Sequence, residues 1–219
     1  MRCAFDMSAV QIYKTGDEEE LLIEDLLQLR TPLTRYATDS LGIIPYILDN
    51  GAYSHFDAPV FQRMAERALS DPLCMFVIMP DIVGDHKGTI RQFLHWCVDL
   101  GVVDSGDFSK VGFVAQNGCS QETMPDTLWD SIGCLFIGGD DEFKESQDAF
   151  SLIEEARIRN KWVHVGRVNT SRKIVYFHGL ADSFDGSGIA RFSAMRKKAI
   201  RTLQMLDGTV QLRFSEWVE

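Results

Sequence analysis

Carboxylate and amide side chains follow several short apolar runs of this sequence, at the point where each run ends. Asp49 and Asn50 follow one run, Asp81 and Gln116 each follow another, and Asp185 follows the last. Two carboxylates that flank a sugar carbon can support a double displacement, in which one attacks the anomeric carbon and the other transfers protons. Asp and Gln can also read the hydrogen-bonding edge of a purine-like base. These residue types therefore predict glycosyl transfer based on carboxylates.

Two glycines and a histidine also lie at or near the ends of apolar runs. Gly138 and Gly139 end one run, and their N–H groups can approach a flat ligand closely because no side chain intervenes. His164 lies inside the next run, which Gly166 and Arg167 follow. A histidine in an apolar run fits a site residue and a hydrogen-bonded core residue equally well, so both interpretations stay open.

The positions of the apolar runs predict the scaffold that carries these side chains. Runs of this kind are typical of parallel strands that are covered on both faces. They occupy residues 3–7, 43–48, 75–79, 111–115, 134–137, 162–165 and 181–184, and segment 209–214 is a candidate eighth strand.

Helical patterns separate several of these runs. Apolar residues at helical spacing predict helices over residues 18–29, 59–69, 89–100, 146–159 and 193–206. Alternation of strands and helices indicates βα units. We therefore predict an α/β fold, a compact (β/α)8 TIM-type barrel with one catalytic domain over residues 1–219, and leave its closure by an eighth strand open. The strand ends of such a barrel meet at one mouth, where catalytic groups lie.

The composition argues against a membrane-spanning protein, a secreted protein and a zinc protein. Of the 219 residues, 45% are hydrophobic and 25% are charged, as in soluble globular proteins. No apolar stretch reaches the ~18 residues of a membrane span, and Asp6 interrupts the N-terminus before an apolar signal sequence can form. The five cysteines include no C-x-x-C pair, which argues against a zinc site. We expect a cytoplasmic protein (host cytoplasm if a phage encodes it) that needs no metal.

The uneven charge bears on nucleic-acid binding. The net charge is −10, but residues 151–219 contain 12 Lys and Arg against 7 Asp and Glu, so this segment carries +5 and the rest −15. Such asymmetry can place a basic surface on an acidic protein, and solvated helix faces are the equally supported alternative.

Four segments resemble motifs of the tRNA-guanine transglycosylase superfamily. Residues 49–53 (Asp-Asn-Gly-Ala-Tyr) look like its Asp-Ser-Gly-Gly-Tyr/Phe motif, and residues 114–118 (Val-Ala-Gln-Asn-Gly) resemble its Val-Gln-Gly loop. Residues 137–139 (Ile-Gly-Gly) resemble its Gly-Gly-Leu loop, and residues 183–185 (Ser-Phe-Asp) resemble the segment with its nucleophilic aspartate. The segments occur in the family's order, and the resemblance spans residues 43–187.

The resemblance implies a role for each matching position. Asp185 would be the nucleophile that attacks C1′ and expels guanine, and Asp49 would be the general acid/base. Asp81 would hold the N–H edge of the base, and Gln116 would contact its carbonyl. The other pocket residues would be Gly138, Gly139, His164, Gly166 and Arg167. No cofactor is needed, because a covalent intermediate carries the energy of the glycosidic bond.

Departures from the family pattern affect the expected substrate. The tRNA enzymes have a cysteine-rich zinc site near the C-terminus and a Pro-Thr-Arg-rich stretch after the nucleophile. This chain has neither, and residues 186–190 read Gly-Ser-Gly-Ile-Ala. Residues 80–85, 138–144 and 163–169 look closer to the short phage DNA-guanine transglycosylases, which insert 7-deazaguanines into DNA. We therefore predict DNA as the polymer, with tRNA as the less favoured alternative, and a 7-deazaguanine such as a queuosine precursor as the incoming base.

Basic residues of the C-terminal segment are expected to contact the phosphates. They are Arg172, Lys173, Arg196, Lys197 and Lys198. For Arg167, Arg172 and Lys173, pairing with the acidic half of the same protein is the alternative.

Other interpretations stay open. A nucleoside deoxyribosyltransferase or N-glycosidase would use the same two carboxylates on free nucleosides, and an inactive barrel could bind a deazapurine or DNA. Locally, Asp49 and Asp185 could be turn residues, whereas Asp81, Asp85 and residues 140–142 could cap helices.

Overall fold

The chain folds as a closed barrel of eight parallel strands. The computed structural model describes residues 1–33, 43–54 and 56–215, without the side chains of residues 23 and 209–215. Each strand pairs with the next in sequence, and the last pairs with the first. The strands are β1 (Arg2–Phe5), β2 (Leu26–Arg30), β3 (Tyr46–Leu48), β4 (Cys74–Ile78), β5 (Val111–Ala115), β6 (Cys134–Ile137), β7 (Trp162–Val165) and β8 (Ser183–Asp185). The predicted (β/α)8 TIM-type barrel is confirmed, and eight strands close it.

Helices are interleaved with the strands. Within the described residues they are α1 (Ala9–Glu18), α2 (Ala58–Ser70), α3 (His86–Asp99), α4 (Val102–Ser105), α5 (Asp126–Asp130), α6 (Asp141–Lys144), α7 (Gln147–Ile158), α8 (Ser171–Phe177), α9 (Ser187–Arg191) and α10 (Ser193–Ser215), with 3-10 turns at Ile23–Asp25 and Gln121–Thr123. The helices predicted over 59–69, 89–100, 146–159 and 193–206 are confirmed as α2, α3, α7 and the first part of α10. None of these described helices combines the length and the apolar character needed to cross a membrane.

Apolar side chains cover both faces of the strands. The barrel interior is filled by Ala4, Leu27, Leu29, Ile47, Phe76, Ile78, Val114, Cys134 and Phe136. Alternate strand residues such as Phe113 and Leu135 point outward and belong to the larger core that packs against the helices. Burial on both faces explains why most strands read as continuous apolar runs.

The prediction of a helix over residues 18–29 is wrong, because β2 occupies its second half. Two buried polar residues, Gln28 and Arg30, interrupt the apolar run of this strand. Gln28 donates to the carbonyl of Met7 at 2.8 Å, and Arg30 donates to Gln28 at 2.7 Å. The Arg30 guanidinium also lies 3.7 Å from the ring centroid of Tyr46. These partners satisfy the hydrogen-bonding groups of Gln28 and Arg30 inside the barrel wall. In the sequence, the leucines of this segment have a spacing that resembles a helix, and this spacing led to the wrong prediction.

The strand predicted at residues 209–214 is also wrong, because this segment continues α10. The pairing of β8 with β1 gives the physical reason: Cys3 lies opposite Phe184 and Ala4 lies opposite Asp185, so the closed barrel has no edge left for a further strand. The missing eighth strand of the sequence analysis was β2.

Two aspartates near strand ends cap helices. Asp85 accepts the N–H of Gly88 at 2.9 Å at the start of α3, and Asp140 accepts the N–H of Phe143 at 2.8 Å at the start of α6. The cap interpretation is confirmed for Asp85 and for the start of segment 140–142. Asp81 has different partners and belongs to the site below.

Gly133, just before β6, gives a test of the barrel packing. A Cβ atom there would overlap the carbonyl oxygen of Ser109. The backbone cannot shift easily, because Gly133 donates to Val111 at 2.8 Å and accepts from Trp162 at 3.0 Å. We expect Gly133→Ala to lower the free energy of unfolding by about 2–3 kcal/mol, measured by urea denaturation.

Gly208→Ala is the matched control, since Gly208 lies in α10 with open space around its Cβ position. This variant should be more stable than wild type by about 0.5–1 kcal/mol, because alanine loses less entropy in a helix. Equal stability of wild type and Gly133→Ala would contradict the packing described for β6.

Candidate active site

A cavity of about 550 Å³ opens at the carboxyl ends of the strands, and residues from all eight strands or the loops after them line it. This is the position of active sites in (β/α)8 barrels. The residues predicted for catalysis or base binding that lie on its wall are Asp49, Asp81, Gln116, Gly138, Gly139, Gly166, Arg167 and Asp185. His164 is fully buried and does not line the cavity, but its ring contacts the carboxylate of Asp185, which does.

Asp185, the last residue of β8, is held by two neighbouring groups. One carboxylate oxygen lies 3.1 Å from Nε2 of His164, and the other accepts the backbone N–H of Arg167 at 3.2 Å. Nδ1 of His164 lies 2.8 Å from the hydroxyl of Ser183, which accepts the indole N–H of Trp162 at 2.8 Å. With Asp185 ionised, Nε2 of His164 must be the donor, because a carboxylate only accepts. The Asp185 carboxylate is therefore fixed in one orientation.

Arg167 combines an unusual backbone with an exposed position at the cavity mouth. Its φ of 62° lies in the left-handed region, which residues other than glycine rarely adopt. This conformation accompanies the hydrogen bond from its N–H to Asp185. Its guanidinium lies 3.9 Å from the ring centroid of Tyr53, a cation–π contact on the cavity wall. Backbone strain of this kind persists where surrounding contacts enforce it and often marks a functional site.

Asp49 directly follows β3, and its N–H donates to the carbonyl of Arg30 at 2.8 Å. Burial, and then the nearby charges of Asp185 and Asp81, raise the pKa of Asp49 to about 7. The backbone amide of Gly51 acts in the opposite direction without cancelling this effect. Near neutral pH the carboxyl can therefore donate or accept a proton, as a general acid/base requires.

Asp81 is fixed by two amide side chains. One of its oxygens accepts from Asn50 at 2.9 Å and the other accepts from Gln116 at 2.6 Å. Asn50 also donates to the carbonyl of Met79, and the oxygen of Gln116 accepts the N–H of Gly84, both at 2.9 Å. Burial is the main reason that the pKa of Asp81 is raised. Each Asp81 oxygen keeps a second lone pair for a donor on a ligand. Sequence analysis assigned Asp81 and Gln116 but gave no role to Asn50.

Glycines after β6 and β7 keep the cavity open and the strands close together. A Cβ atom at Gly138 would lie 2.7 Å from Val114, and one at Gly166 would lie 2.7 Å from the ring of Phe136. Gly139 has a φ of 71°, which favours glycine. Larger residues at these positions would displace the side chains that line the barrel interior.

Asp6 is a carboxylate of this site that the sequence analysis did not assign. It follows β1, whose Ala4 lies opposite Asp185, and it lines the same cavity. Burial, and then the charge of Asp185, raise the pKa of Asp6, while Arg191 acts in the opposite direction. One Asp6 oxygen is buried without a hydrogen-bond partner among the described residues. The sequence did contain a signal, because Asp6 is a carboxylate inside the first apolar run, directly after the last residue of β1.

Lys144 is a second residue that sequence analysis missed. Its side chain is buried against the cavity wall, and Nζ donates to the carbonyl of Gly166 at 2.7 Å. Burial, and then the charge of Arg167, lower the pKa of Lys144 to about 8. No sequence signal separates this lysine from those on exposed helix faces.

The basic residues predicted to bind nucleic acid lie outside the main cavity, and most have partners inside the protein. The ion pairs are Arg172 with Glu145, Lys173 with Asp141, and Lys197 with Glu19. Arg196 donates to the carbonyls of Ile189 and Ala190 at 3.2 and 3.0 Å. Lys198 has no partner among the described residues. The alternative that Arg172 and Lys173 pair with the protein's own acids is therefore confirmed.

No protein-family model matches this chain, and no curated protein matches it significantly. The transglycosylase resemblance therefore rests on the four motifs and on their meeting at one cavity. Within residues 1–33, 43–54 and 56–215, no group of three or more His, Cys, Asp or Glu side chains is arranged to hold a metal ion.

The raised pKa of Asp49 predicts a pH-dependent stability difference. Between the ordinary pKa of 3.8 and about 7, the folded state binds the Asp49 proton more strongly than the unfolded state. The stability that folding gains from this stronger proton binding is complete below pH 3.8 and is lost as the pH rises through 7. Asp49→Asn should therefore match wild type near pH 4 and exceed its free energy of unfolding by about 2 kcal/mol at pH 8.

Urea denaturation at a series of pH values measures this difference. Asp104→Asn, which removes an exposed carboxylate on α4, controls for the loss of one charge. A constant difference between Asp49→Asn and wild type from pH 4 to pH 8 would contradict the proposed electrostatics.

Proposed function

We propose that this chain is a pentosyltransferase that exchanges guanine for a 7-deazaguanine base in DNA through a covalent Asp185–sugar intermediate. The observation that carries the proposal is the convergence of two chemically different carboxylates, Asp49 and Asp185, on one cavity. The fixed pair of Asp81 and Gln116 on the same wall adds a surface for a base edge.

In the first half-reaction, Asp185 attacks C1′ of the target nucleotide. A bond forms between a carboxylate oxygen and C1′ while the bond from C1′ to the guanine nitrogen breaks, and the electron pair leaves with guanine. Protonated Asp49 supplies the proton that the leaving base takes up. The contacts from His164 and Arg167 support this role of Asp185, because they orient its carboxylate before the attack.

In the second half-reaction, the 7-deazaguanine takes the place of guanine in the cavity. Its ring nitrogen attacks C1′, and the Asp185 carboxylate leaves with its electron pair. Asp49, now ionised, accepts the proton from that nitrogen, so both carboxyls return to their starting states. The ester between Asp185 and the sugar preserves the energy of the glycosidic bond, and the cycle therefore needs no cofactor.

Base recognition would use the part of the wall formed by Asp81 and Gln116, which adjoins Gly138. The free lone pairs of Asp81 accept N–H groups of the base, and the orientation of Gln116 is set by its bonds to Asp81 and Gly84. Guanine and 7-deazaguanine share this donor edge, so one pocket serves both half-reactions. The amides of Gly138 and Gly139 border the same cavity.

DNA is the favoured polymer because the segment after the nucleophile lacks the stretch that serves tRNA in the family. Residues 187–191 instead form the short helix α9 directly after β8. The target base must be turned out of the duplex, since stacking otherwise shields C1′ and the base edges.

A second candidate is exchange on free nucleosides. It is favoured by the internal ion pairs of Arg172, Lys173 and Lys197, which reduce the charge available for a polynucleotide.

Incorporation of radiolabelled guanine into DNA, tRNA and free nucleosides, measured side by side, tests the proposed function. Wild type should label DNA. Asp185→Ala and Asp49→Ala should each lose at least about 10³-fold in rate, because each removes a group that acts in the chemical step. Asp104→Ala, on exposed α4, should retain the wild-type rate.

The distribution of label decides between the candidates. Label in tRNA alone would retain the chemistry and overturn the polymer assignment. Label in nucleosides alone would favour the second candidate, and no label in any acceptor would contradict the transglycosylase proposal.

A further inference from the structure

A second cavity of about 390 Å³ lies beside the main one, and we call it the side cavity. Asp6 and Arg191 line both cavities, so the two spaces share a wall. The remaining wall of the side cavity includes Gln11, Ser193 and Arg196. A group attached to a ligand in the main cavity could therefore reach the side cavity without leaving the protein surface.

The two arginines of the side cavity differ from Arg172, Lys173 and Lys197 in lacking an acidic partner among the described residues. Neither Arg191 nor Arg196 forms an ion pair within the described residues, whereas Arg172, Lys173 and Lys197 each do. Arg196 uses only Nη1, which donates to two carbonyl oxygens at the end of α9. These bonds fix its guanidinium on the wall, and its other nitrogens donate to no described residue. The side cavity thus presents two positive charges that form no ion pair with a described acidic residue.

The first residue of a long helix also lines the side cavity. Ser193 lines it and is the first residue of α10, a helix of 23 residues. The residue before it, Phe192, has no side-chain group that could cap the helix. The N–H groups of residues 193–195 accordingly have no acceptor among the described residues, and the first helical bond runs from Arg196 to Phe192. The arginines are the charged groups of this cavity, and Ser193 places the start of α10 beside them.

Among the described residues, Asp6 is the one carboxyl group on the wall of the side cavity, and an ionised carboxylate would repel an anion. Burial, and then the charge of Asp185, raise the pKa of Asp6 while Arg191 acts in the opposite direction, so Asp6 keeps its proton to a higher pH than a free carboxyl does. A protonated carboxyl can donate a hydrogen bond to an anion rather than oppose it.

We propose that the side cavity binds a backbone phosphate of the strand whose base is exchanged, namely a phosphate attached to the sugar that occupies the main cavity. Arg191 and Arg196 are the charged donors, and Arg191 bridges the two cavities. The inference rests on the proposed function, which places the target sugar at Asp185. Barrels of this type often bind phosphate after their last two strands, and this position follows β8 directly.

The test measures base exchange into a single-stranded oligonucleotide with one guanine, in wild type, Arg191→Ala and Arg191→Lys. We expect KM for the oligonucleotide to rise at least about tenfold in Arg191→Ala, with most of the loss restored in Arg191→Lys. The slope of log KM against log salt concentration should become shallower by about 0.7, the value for one phosphate contact on a single strand. Arg201→Ala removes a charge from an exposed position on α10 that lines neither cavity, and should leave both quantities unchanged.

Replacing single phosphates by uncharged methylphosphonates identifies the bound group. One substitution next to the guanine should raise KM in wild type as much as Arg191→Ala does, and it should add little in that variant. A methylphosphonate at a distant position should have no such effect. Additive losses, or a wild-type KM in Arg191→Ala, would overturn the proposed phosphate site.

Fluorescence anisotropy of the same oligonucleotides separates this inference from the proposed function. Binding that requires Arg191 and the flanking phosphate, without base exchange by wild type, would support the side cavity and contradict the transglycosylase proposal. Base exchange into DNA that changes neither in the Arg191 variants nor with methylphosphonates would support the transglycosylase proposal and contradict the phosphate site. Absence of oligonucleotide binding by wild type would overturn the phosphate site as well.

Discussion

Repulsion among carboxylates is the constraint on which this site depends. Asp6, Asp49, Asp81 and Asp185 line one cavity, and four negative charges so close together would oppose folding. Burial raises the pKa of the first three, and Asp185 raises it further for Asp6 and Asp49. Asp185 instead has two hydrogen-bond partners, one of them His164. Asp185 is thus held in one orientation, whereas Asp49 can exchange a proton near neutral pH, and the proposed chemistry uses this difference between neighbouring carboxyls.

The closed barrel holds these carboxyl groups together and places cations beside them. Closure of the sheet between β8 and β1 places Asp185 beside the strand that leads to Asp6, so the two carboxyls cannot separate without opening the barrel. Cations on the same wall offset the charge, since Lys144 is buried there and Arg167 and Arg191 lie at the mouth. The low pKa of Lys144 reflects the same burial that raises the carboxyl pKa values. Site electrostatics and barrel stability are therefore coupled.

The sequence predicted the barrel and much of the site wall because both depend on local patterns. Strands buried on both faces read as apolar runs, and polar residues at their ends mark the mouth. The pattern failed at β2, where Gln28 and Arg30 lie inside the barrel wall and are satisfied by partners distant in sequence or on neighbouring strands. It also failed for Lys144 and Arg191, since nothing local distinguishes a cation at a cavity from one on an exposed helix. Such differences arise only from tertiary packing.

Charge counting along the chain overstated the surface that is free to bind a polyanion. Much of the excess positive charge after residue 150 neutralises acids of the same protein, as Lys173 does with Asp141. Within the described residues, Arg191 and Arg196 line the side cavity without an ion pair, and the guanidinium of Arg167 at the mouth lies over the ring of Tyr53. A protein with this distribution would hold a strand mainly at the nucleotide that reacts, with few phosphate contacts elsewhere. Such contacts position a strand without reading its sequence, so in the proposed reaction selectivity would come from the cavity wall around Asp81 rather than from an extended groove.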